Sequence, residues 1–399
     1  MLFVGAGRHQ RRAIERVREL GARVVAVDRN DEAPGLAVAD VGEVVDFADV
    51  DAVVEVGRRH AVDGVLTVAA DRAVPIVAAA AEELGLPGIG RRVAHRMTNK
   101  IAMRHALAEH GVPQPAFAAV RTLREARVAA KRIGFPSVLK AADSAGQRGL
   151  FLLASVDDLE VHLHSSLSHS LDEEAILERY HPGREVNALV VVRGGEPTVL
   201  TLSDRVRPAG VGFGVALAHV YPSTLFGDAL DEIEETAVRT VRAVGMRDGI
   251  AYPQVLWSDD GVARLIEVAA RIPGGQMALV ARYGVGVDLV QVALRQALGE
   301  PVPDELIAHR AEQPHAISFL TARPGPLPTG RLERVSGLDR VLAFPGVAEA
   351  ELYFQPGETI RPVQVDGDRR GFIVALGETN LEAVERAEAA ASLLDVEVS

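Results

Sequence analysis

Apolar runs and amphipathic stretches alternate along residues 1–90 of the chain. Residues 1–6 are almost entirely apolar and predict a strand, while residues 8–20 repeat their apolar positions at helical spacing. Strands that alternate with helices are typical of a parallel sheet with helices on both faces. We therefore predict a Rossmann-like domain over residues 1–90. Its further strands are predicted at 23–27, 41–47 and 64–67, and its further helices at 50–60 and 73–84.

A different pattern follows the single helix predicted at residues 91–110. The sequence Gly-Val-Pro-Gln-Pro at 111–115 breaks that helix and marks a subdomain boundary. From residue 175 onward, short turns separate the apolar runs, which is typical of an antiparallel meander. We predict a central domain over residues 91–300 with two α+β subdomains, the smaller covering about 113–180. The predicted strands are 116–120, 135–140, Leu150–Leu153, 175–180, 184–192 and 198–202, and the helices are 122–133, 156–171, Asp228–Val244 and 288–298.

The last two strands of the central domain form a predicted hairpin. Residues 252–257 and Ala263–Ala269 are apolar runs joined by Ser-Asp-Asp-Gly, and Asp-Gly between such runs is typical of a tight turn. Strict alternation along the strands puts Gln254 out of phase with Glu267. We therefore expect these two side chains on opposite faces of the hairpin.

Glu267 is an acid inside the apolar run Leu-Ile-Glu-Val. A buried carboxylate is costly unless a cation or a strong donor pairs with it. Arg271 follows four residues later, and the turn Pro273-Gly274-Gly275 comes next. Two interpretations are open from these residues alone: the wall of an anion or metal–phosphate site, or an ordinary strand end with a salt bridge.

Two proline-rich segments place another boundary between about residues 300 and 330. Beyond it, strands are predicted at 316–321, 348–353 and Gly371–Leu376, and a helix at 381–394. We predict a small α+β domain over residues 314–399, in which no motif points to a chemical role.

The composition narrows the class of protein and its partners. The chain has 399 residues, a net charge of −12 and no cysteine, which excludes disulfides, thiolate catalysis and cysteine-bound zinc. The negative charge argues against nucleic acid or an anionic membrane as a partner. No apolar run approaches the roughly 20 residues of a membrane span, and the N-terminus lacks the charge order of a signal peptide. We expect a cytoplasmic protein with small-molecule partners; a homodimer is one state that the sequence permits.

Lysine is rare in this chain. Of the 43 basic residues only Lys100, Lys131 and Lys140 are lysines, and the other positions are arginine. A lysine ammonium acts as a compact point charge on phosphate, so a lysine retained against this bias is a candidate phosphate ligand. Chance is the alternative explanation.

Lys140 ends a predicted strand and precedes a loop of small residues. The loop, Ala-Ala-Asp-Ser-Ala-Gly-Gln-Arg-Gly at 141–149, is not a P-loop because GxxxxGK[ST] is absent. Backbone N–H groups of such a loop could lie against phosphate oxygens. A flexible hairpin is the other interpretation.

Two further groups of residues suggest ligands. Gly5 and Gly7 after the first strand, with Asp28 about 20 residues later, resemble a dinucleotide fingerprint, but Gln10 occupies the third glycine position. We favour a Rossmann-like domain that binds no nicotinamide. Later in the chain, Arg205, Arg207 and His219 surround a glycine-rich stretch at 210–214, which either closes over a ligand or forms an exposed connection.

Taken together, these stretches resemble the ATP-grasp superfamily, in its carboxylate–amine (amino-acid) ligase branch. The resemblance covers about residues 1–300 in order, and residues 314–399 resemble the last domain of the same ligases more weakly. The motifs are Thr-Asn-Lys ending at Lys100, VLKAADSAGQRG around Lys140, LERY ending at Tyr180, Gly-Arg-Glu ending at Glu185, and IEVAAR ending at Arg271.

The resemblance implies an ATP and Mg²⁺ (or Mn²⁺) site. Lys100 and Lys140 would hold the phosphates, and Lys140 and Arg271 would be catalytic. The other implied ATP ligands are Ser144, Gly146, Gln147, Glu178, Arg179, Tyr180 and Glu185, of which Glu178–Tyr180 contact adenine and Glu185 the ribose. Gln254 and Glu267 are the implied metal ligands, and Arg205, His219, Gly274 and Gly275 the substrate residues.

Two departures from the family pattern concern the metal. Gln254 stands where the family usually has a carboxylate, and Ala269 where it usually has asparagine. We expect weaker metal binding, unless an acid such as Asp248 or a substrate oxygen compensates.

The reaction implied is ATP-dependent activation of a carboxylate, in this branch that of an amino acid, as an acyl phosphate. An amine then displaces phosphate, so that ADP and phosphate are released. The alternatives are an ATP-dependent carboxylase of the biotin-carboxylase type and a nucleotide-binding protein without catalysis.

Overall fold

The computed structural model describes residues 1–208 and 213–399. Part of the predicted glycine-rich stretch at 210–214, namely residues 210–212, lies outside these ranges. Among the described residues, no single helix is long and apolar enough to cross a membrane; helices Met277–Val285 and Leu289–Ala297 meet that test only together, across a bend of 112°.

The N-terminal domain is a four-stranded parallel sheet in the order β3-β2-β1-β4, which confirms the Rossmann-like prediction. Gln10, at the third glycine position, is buried and donates to the carbonyl of Val68 at 2.8 Å. The elements are β1 (Leu2–Val4), α1 (Arg8–Glu19), β2 (Val25–Asp28), α2 (Pro34–Val38), β3 (Val41–Val44), α3 (Val50–Arg59), β4 (Val65–Leu66) and α4 (Val74–Leu84).

The single helix predicted at residues 91–110 is wrong, because the chain forms two helices, α5 (Arg91–Thr98) and α6 (Lys100–Glu109). Asn99 between them is extended, and its side chain accepts hydrogen bonds from the N–H groups of Ile101 and Ala102. An asparagine side chain competes with the backbone in this way and favours a helix start. Lys100 therefore occupies the first turn of α6.

The small subdomain is a four-stranded antiparallel sheet in the order β5-β8-β6-β7. Its two helices pack on one apolar face of the sheet. The elements are β5 (Phe117–Val120), α7 (Leu123–Ile133), β6 (Ser137–Ala141), β7 (Leu150–Leu153), α8 (Val156–Ser168) and β8 (Ala175–Arg179).

The rest of the central domain contributes five strands to a larger sheet. Consecutive buried residues of β9 face opposite sides of the sheet. Leu189 and Val191 pack in one apolar cluster and Val190 and Val192 in another, so apolar clusters cover both faces. The elements are β9 (Gly183–Arg193), β10 (Glu196–Val206), β11 (Ala218–Tyr221), α9 (Asp228–Val244), β12 (Gly249–Ser258), β13 (Ala263–Ala269), α10 (Met277–Val285), α11 (Leu289–Ala297) and α12 (Asp304–Ile307). The sequence did not predict β11 or α10.

The hairpin of β12 and β13 contains a β-bulge that overturns one expectation. Gln254 lies directly opposite Glu267, whereas the next residue, Val255, pairs with Leu265. Ile266 is therefore the extra residue on β13, and an extra residue reverses the alternation beyond it. The prediction that Gln254 and Glu267 point to opposite faces is wrong, because directly opposite residues of an antiparallel pair share a face.

The C-terminal residues add three strands to the large sheet and also form a small sheet of their own. The order of the large sheet is β13-β12-β9-β10-β11-β14-β18-β16, and the small sheet has the order β17-β15-β19. The elements are β14 (His315–Phe319), β15 (Gly330–Ser336), α13 (Leu338–Leu342), β16 (Val347–Leu352), β17 (Thr359–Ile360), β18 (Gly371–Leu376), α14 (Asn380–Ala391) and β19 (Asp395–Val398).

Candidate active site

A cleft between the small sheet and the large sheet brings most of the predicted ATP ligands together. Its cavity has a volume of about 60 Å³. The lining includes Lys140 and Glu178 from the small sheet, and Gln254 and Glu267 from the large sheet. The other predicted residues on its walls are Gln147, Arg179, Tyr180, Glu185 and Arg205.

Glu178 on β8 is the most deeply buried acid of this cleft. Its carboxylate accepts hydrogen bonds from Arg104 Nε and Lys140 Nζ, both at 2.8 Å. Burial alone would raise the pKa of Glu178, but the charges of Arg104 and Lys140 and their hydrogen bonds outweigh it and lower the pKa to about 2. The carboxylate is thus anionic near neutral pH. Its predicted contact with adenine stays a prediction.

Lys100 connects the small-residue loop to the hairpin. Its Nζ donates to the carbonyl of Ser144 at 2.7 Å and lies 3.5 Å from Glu267 Oε1. The break at Asn99 makes this possible, because it starts α6 at Lys100 and fixes the direction of that side chain.

The loop between β6 and β7 carries an unsatisfied donor. The Ser144 hydroxyl is buried and has no hydrogen-bond partner among the residues that the structure describes. Gly146 and Gln147 both have positive φ, at 68° and 67°. Buried polar groups are normally paired, so this hydroxyl, on the residue whose carbonyl binds Lys100, fits a phosphate oxygen.

Glu267 and Gln254 offer the oxygen donors for a divalent cation. Within the described ranges, no group of three His, Cys, Asp or Glu side chains could hold a metal. One carboxylate and one amide still fit Mg²⁺, which usually keeps several waters and is bound jointly with substrate phosphates. Asp248 does not compensate: it accepts from the N–H of Gly194 and lines a different cavity.

Glu185, the predicted ribose ligand, is held by two arginines. Arg205 Nε and Arg207 Nη1 each lie 3.1 Å from a Glu185 carboxylate oxygen. Arg205 and Glu185 are direct neighbours across β9 and β10. Arg205, predicted to bind substrate, is therefore already paired with an acid, and both roles stay predictions.

A second cavity, of about 510 Å³, adjoins the cleft and is bounded by all three parts of the chain. Arg271 reaches it from the end of the hairpin and forms a bidentate ion pair with Asp71 at 2.8 and 2.6 Å. Asp71 follows the last strand of the N-terminal sheet. The predicted catalytic arginine is thus oriented by the N-terminal domain.

His219 lies in the wall of this cavity, beside the predicted turn glycines Gly274 and Gly275. Its Nδ1 accepts from the Asn187 amide at 3.0 Å, which leaves the proton on Nε2. Burial lowers the pKa of His219 well below its usual value, and the charges of Arg205 and Arg369 lower it further. His219 is therefore a neutral donor. A Cβ at Gly275 would lie 3.1 Å from Nε2.

The C-terminal residues contribute to the site, which the sequence did not predict. Arg369 is buried, pairs with Asp366 at 2.8 Å and lies 4.1 Å above the ring of Phe319. In the sequence, Arg369 is marked only by its place after the turn Asp-Gly-Asp, just before a buried strand.

The sequence analysis also missed Arg104. Its spacing of four residues from Lys100, which places both on one helix face, could have pointed to it.

Three protein families match the chain in succession. Residues 14–88 match the ATP-grasp N-terminal domain, residues 99–305 the ATP-binding domain of the carbamoyl-phosphate synthase L chain, and residues 324–399 the L-amino acid ligase C-terminal domain 2. The second match covers more than half of the chain.

Similar proteins and structures cover nearly the whole chain. A formate-dependent phosphoribosylglycinamide formyltransferase from Ignicoccus hospitalis is 28% identical over 99% of this chain and 95% of its own length. The crystal structure of an L-amino acid ligase from Bacillus licheniformis has a TM-score of 0.87 at 22% identity and covers 100% of this chain and 98% of its own.

An N5-carboxyaminoimidazole synthase from Aspergillus clavatus, in complex with ADP and 5-aminoimidazole ribonucleotide, has a TM-score of 0.76 at 19% identity. It covers 98% of this chain and 97% of its own. The family matches and the fold agree with the resemblance of the sequence motifs. The chain belongs to the ATP-grasp superfamily, in its branch of carboxylate–amine ligases that form carbon–nitrogen bonds.

Proposed function

We propose that the protein uses ATP to activate a carboxylate as an acyl phosphate and then joins it to an amine. One observation carries the proposal. Lys140 lines one cleft together with Gln254 and Glu267, the two predicted metal ligands, and Lys100 lies 3.5 Å from Glu267. This cleft adjoins an arginine-lined cavity. This order supports a nucleotide whose phosphates lie between a cation and a second substrate.

The nucleotide would be held by residues of both sheets. Lys100, Lys140 and the Ser144 hydroxyl suit the phosphates, because ammonium and hydroxyl donors offset charge that spreads over phosphoryl oxygens. Tyr180 and Glu185 suit the adenosine end of the cleft. The cleft of about 60 Å³ is far below the roughly 300–1,000 Å³ of ligand pockets, so it has to widen for ATP to enter.

Mg²⁺ would be bound by Glu267 and Gln254 together with phosphate oxygens. When bound, it would supply Lewis-acid neutralisation of the phosphate charge. The chain's own residues align the partners: Lys100 holds the loop carbonyl and faces Glu267, and Asp71 orients Arg271 toward the cavity.

The chemistry requires no nucleophile from the protein. A carboxylate oxygen of the substrate bonds to the γ-phosphorus of ATP while the bond to ADP breaks. The amine nitrogen then bonds to the acyl carbon, loses a proton, and phosphate leaves with the bond electrons. Arg271 and Arg369 would bind anionic oxygens of the substrate, and neutral His219 would donate to one of them.

We propose an amino acid as the carboxylate substrate. The support is the match of residues 324–399 to a domain of L-amino acid ligases and the likeness in fold to one such ligase. A second candidate is a one-carbon acid, formate or bicarbonate. Chain-length relatives named as formate-dependent formyltransferases favour it.

A substrate panel tests the proposal. The purified full chain is incubated with ATP, Mg²⁺ and pairs of an acid and an amine, where the acids are amino acids, formate and bicarbonate. We expect one amide product, detected by mass spectrometry, for each ADP released. Clear ATP binding with no turnover of any pair would contradict the ligase proposal and favour a nucleotide-binding protein.

A further inference from the structure

Arg104 is the largest fully buried side chain among the described residues. It lies on α6, one turn after Lys100. Its Nε donates to Glu178 Oε1 at 2.8 Å, Nη1 to the carbonyl of Leu265 at 2.8 Å, and Nη2 to the carbonyl of Ile266 at 2.8 Å. One guanidinium thus joins a helix, a strand of the small sheet and a strand of the large sheet.

The contact with Glu178 determines what Lys140 can do. Both cations pair with the same buried carboxylate, at 2.8 Å each. Removing all partners of a buried charge is strongly unfavourable. Because Arg104 stays bound to Glu178, Lys140 can leave that carboxylate for a phosphate oxygen without stranding it.

The contacts with Leu265 and Ile266 determine where Glu267 points. These two residues form the bulged side of the hairpin, and the bulge puts Glu267 opposite Gln254. A planar guanidinium donates from fixed directions, so it holds the two successive carbonyls in one orientation. Arg104 thus binds both carbonyls of the bulge that sets the face on which Glu267 lies.

We propose that Arg104 is a positioning residue that couples the lysine side of the nucleotide site to the metal side. The inference rests on the proposed function, since it assigns nucleotide phosphate to Lys140 and Mg²⁺ to Glu267. A lysine at position 104 would keep the charge on Glu178 but has a single nitrogen, which cannot span both carbonyls and the carboxylate.

The test compares Arg104→Lys with Arg96→Lys. Arg96 is a matched control because it lies on the preceding helix and, among the described residues, its side chain donates only to the carbonyl of Val244. Thermal unfolding reports folding, and calorimetric titration with ADP, with and without Mg²⁺, reports the site without needing turnover. For Arg104→Lys we expect ADP affinity and Mg²⁺ affinity each to fall by roughly tenfold. Arg96→Lys should leave both unchanged.

An Arg104→Lys protein that melts earlier but binds ADP and Mg²⁺ like the wild type would overturn the inference and leave a purely structural role. If this variant does not fold, Arg104→Gln combined with Glu178→Gln removes the buried charges together. This double variant should bind Mg²⁺–ADP more weakly than Glu178→Gln alone, and equal affinities would overturn the inference.

The two proposals fail differently. A wild-type protein that binds Mg²⁺–ADP but turns over no substrate contradicts the ligase proposal and leaves the role of Arg104 to be decided by the variants. A wild-type protein that binds no ADP contradicts both.

Discussion

Lys140 is the residue on which the nucleotide assignment depends most. Replacing it with alanine leaves Glu178 paired with Arg104, so the protein should still fold. We expect Lys140→Ala to lower the rate of ATP-dependent ADP release by at least about 100-fold. This is the usual effect of removing a donor that stabilises negative charge in the transition state. ADP release and the melting temperature are the two measurements.

Lys131→Ala is the matched control for this change. Lys131 is exposed on α7, and replacing it removes the same charge from the chain without changing the cleft. Its activity should equal that of the wild type. Full activity of Lys140→Ala would remove Lys140 from the phosphate site.

Glu178 makes stability depend on pH in a defined window. Burial would raise its pKa, but Arg104 and Lys140 outweigh burial and lower the pKa from 4.5 to about 2. A lowered carboxyl pKa stabilises the fold fully above its unfolded value, and this contribution is lost as pH falls from about 4.5 toward 2. Urea unfolding should therefore show a fall of stability in this range of up to about 1.4 kcal/mol per pH unit from this group.

The comparison is with Glu178→Gln, which cannot titrate. Its stability should be lower at neutral pH but should depend less on pH below 4.5. An identical pH dependence in both proteins would show that Glu178 has an ordinary pKa in the folded state.

Sequence reasoning found the residues that are unusual for their surroundings. Lys100 and Lys140 stand out because lysine is rare, and Glu267 because it is an acid in an apolar run. Arg104 and Arg369 did not stand out, because arginine is the common cation of this chain. Their roles come from partners distant in sequence, such as Glu178 and Phe319, which no local pattern reveals.

At the scale of elements, the break before α6 orients a functional side chain. Asn99→Ala removes the cap of α6 and should cost about 1 kcal/mol of unfolding free energy. Because this cap also places Lys100, ADP binding should weaken by roughly threefold or more. Urea unfolding and ADP titration measure the two effects.

Thr379→Ala is a suitable control for this effect. Thr379 caps α14 through the N–H of Glu382, and it does not line either cavity. We expect a similar loss of stability with unchanged ADP affinity. If Asn99→Ala likewise leaves ADP affinity unchanged, the cap serves folding alone.

Besides missing β11 and α10, sequence patterns mispredict the break between α5 and α6 and the bulge of the hairpin. The apolar spacing continues on both sides of Asn99, so periodicity alone gives one helix. Alternation likewise cannot show that Ile266 is an extra residue, because the bulge is defined by which residues β12 pairs with. Both errors fall beside the candidate site, and functional sites are where sequence rules are expected to fail.

At the scale of the whole molecule, the C-terminal domain completes the second cavity, of about 510 Å³. Arg369→Gln removes a buried cation from that cavity. We expect the KM for the carboxylate substrate to rise roughly tenfold, as for loss of a charged hydrogen bond, with the KM for ATP unchanged. Steady-state kinetics with each substrate varied in turn separates the two.

Arg361→Gln is the control, because Arg361 is an exposed arginine of the same domain that lines neither cavity. It should leave both KM values unchanged. A rise in the KM for ATP alone in Arg369→Gln would assign this arginine to the nucleotide instead.

The order of elements along the chain was largely predictable, and the alternating and meandering patterns gave the fold class. The continuity of the large sheet could not be predicted, because β11 was not predicted and its partner β14 lies far along the chain. Long-range strand pairing is decided by packing that no local stretch contains.

The pairing of β14 with β11 also has a consequence for how such chains can diverge. A cut before His315 would bare the hydrogen-bonding edge of β11, and an open edge invites pairing with another chain. The segment from His315 onward therefore cannot be exchanged between relatives independently of β11. A relative's tail grafted onto this chain would have to keep the register of Ala218 with Ser318. Cavity-lining residues of the tail such as Arg369 are therefore inherited together with the strand that pairs with β11.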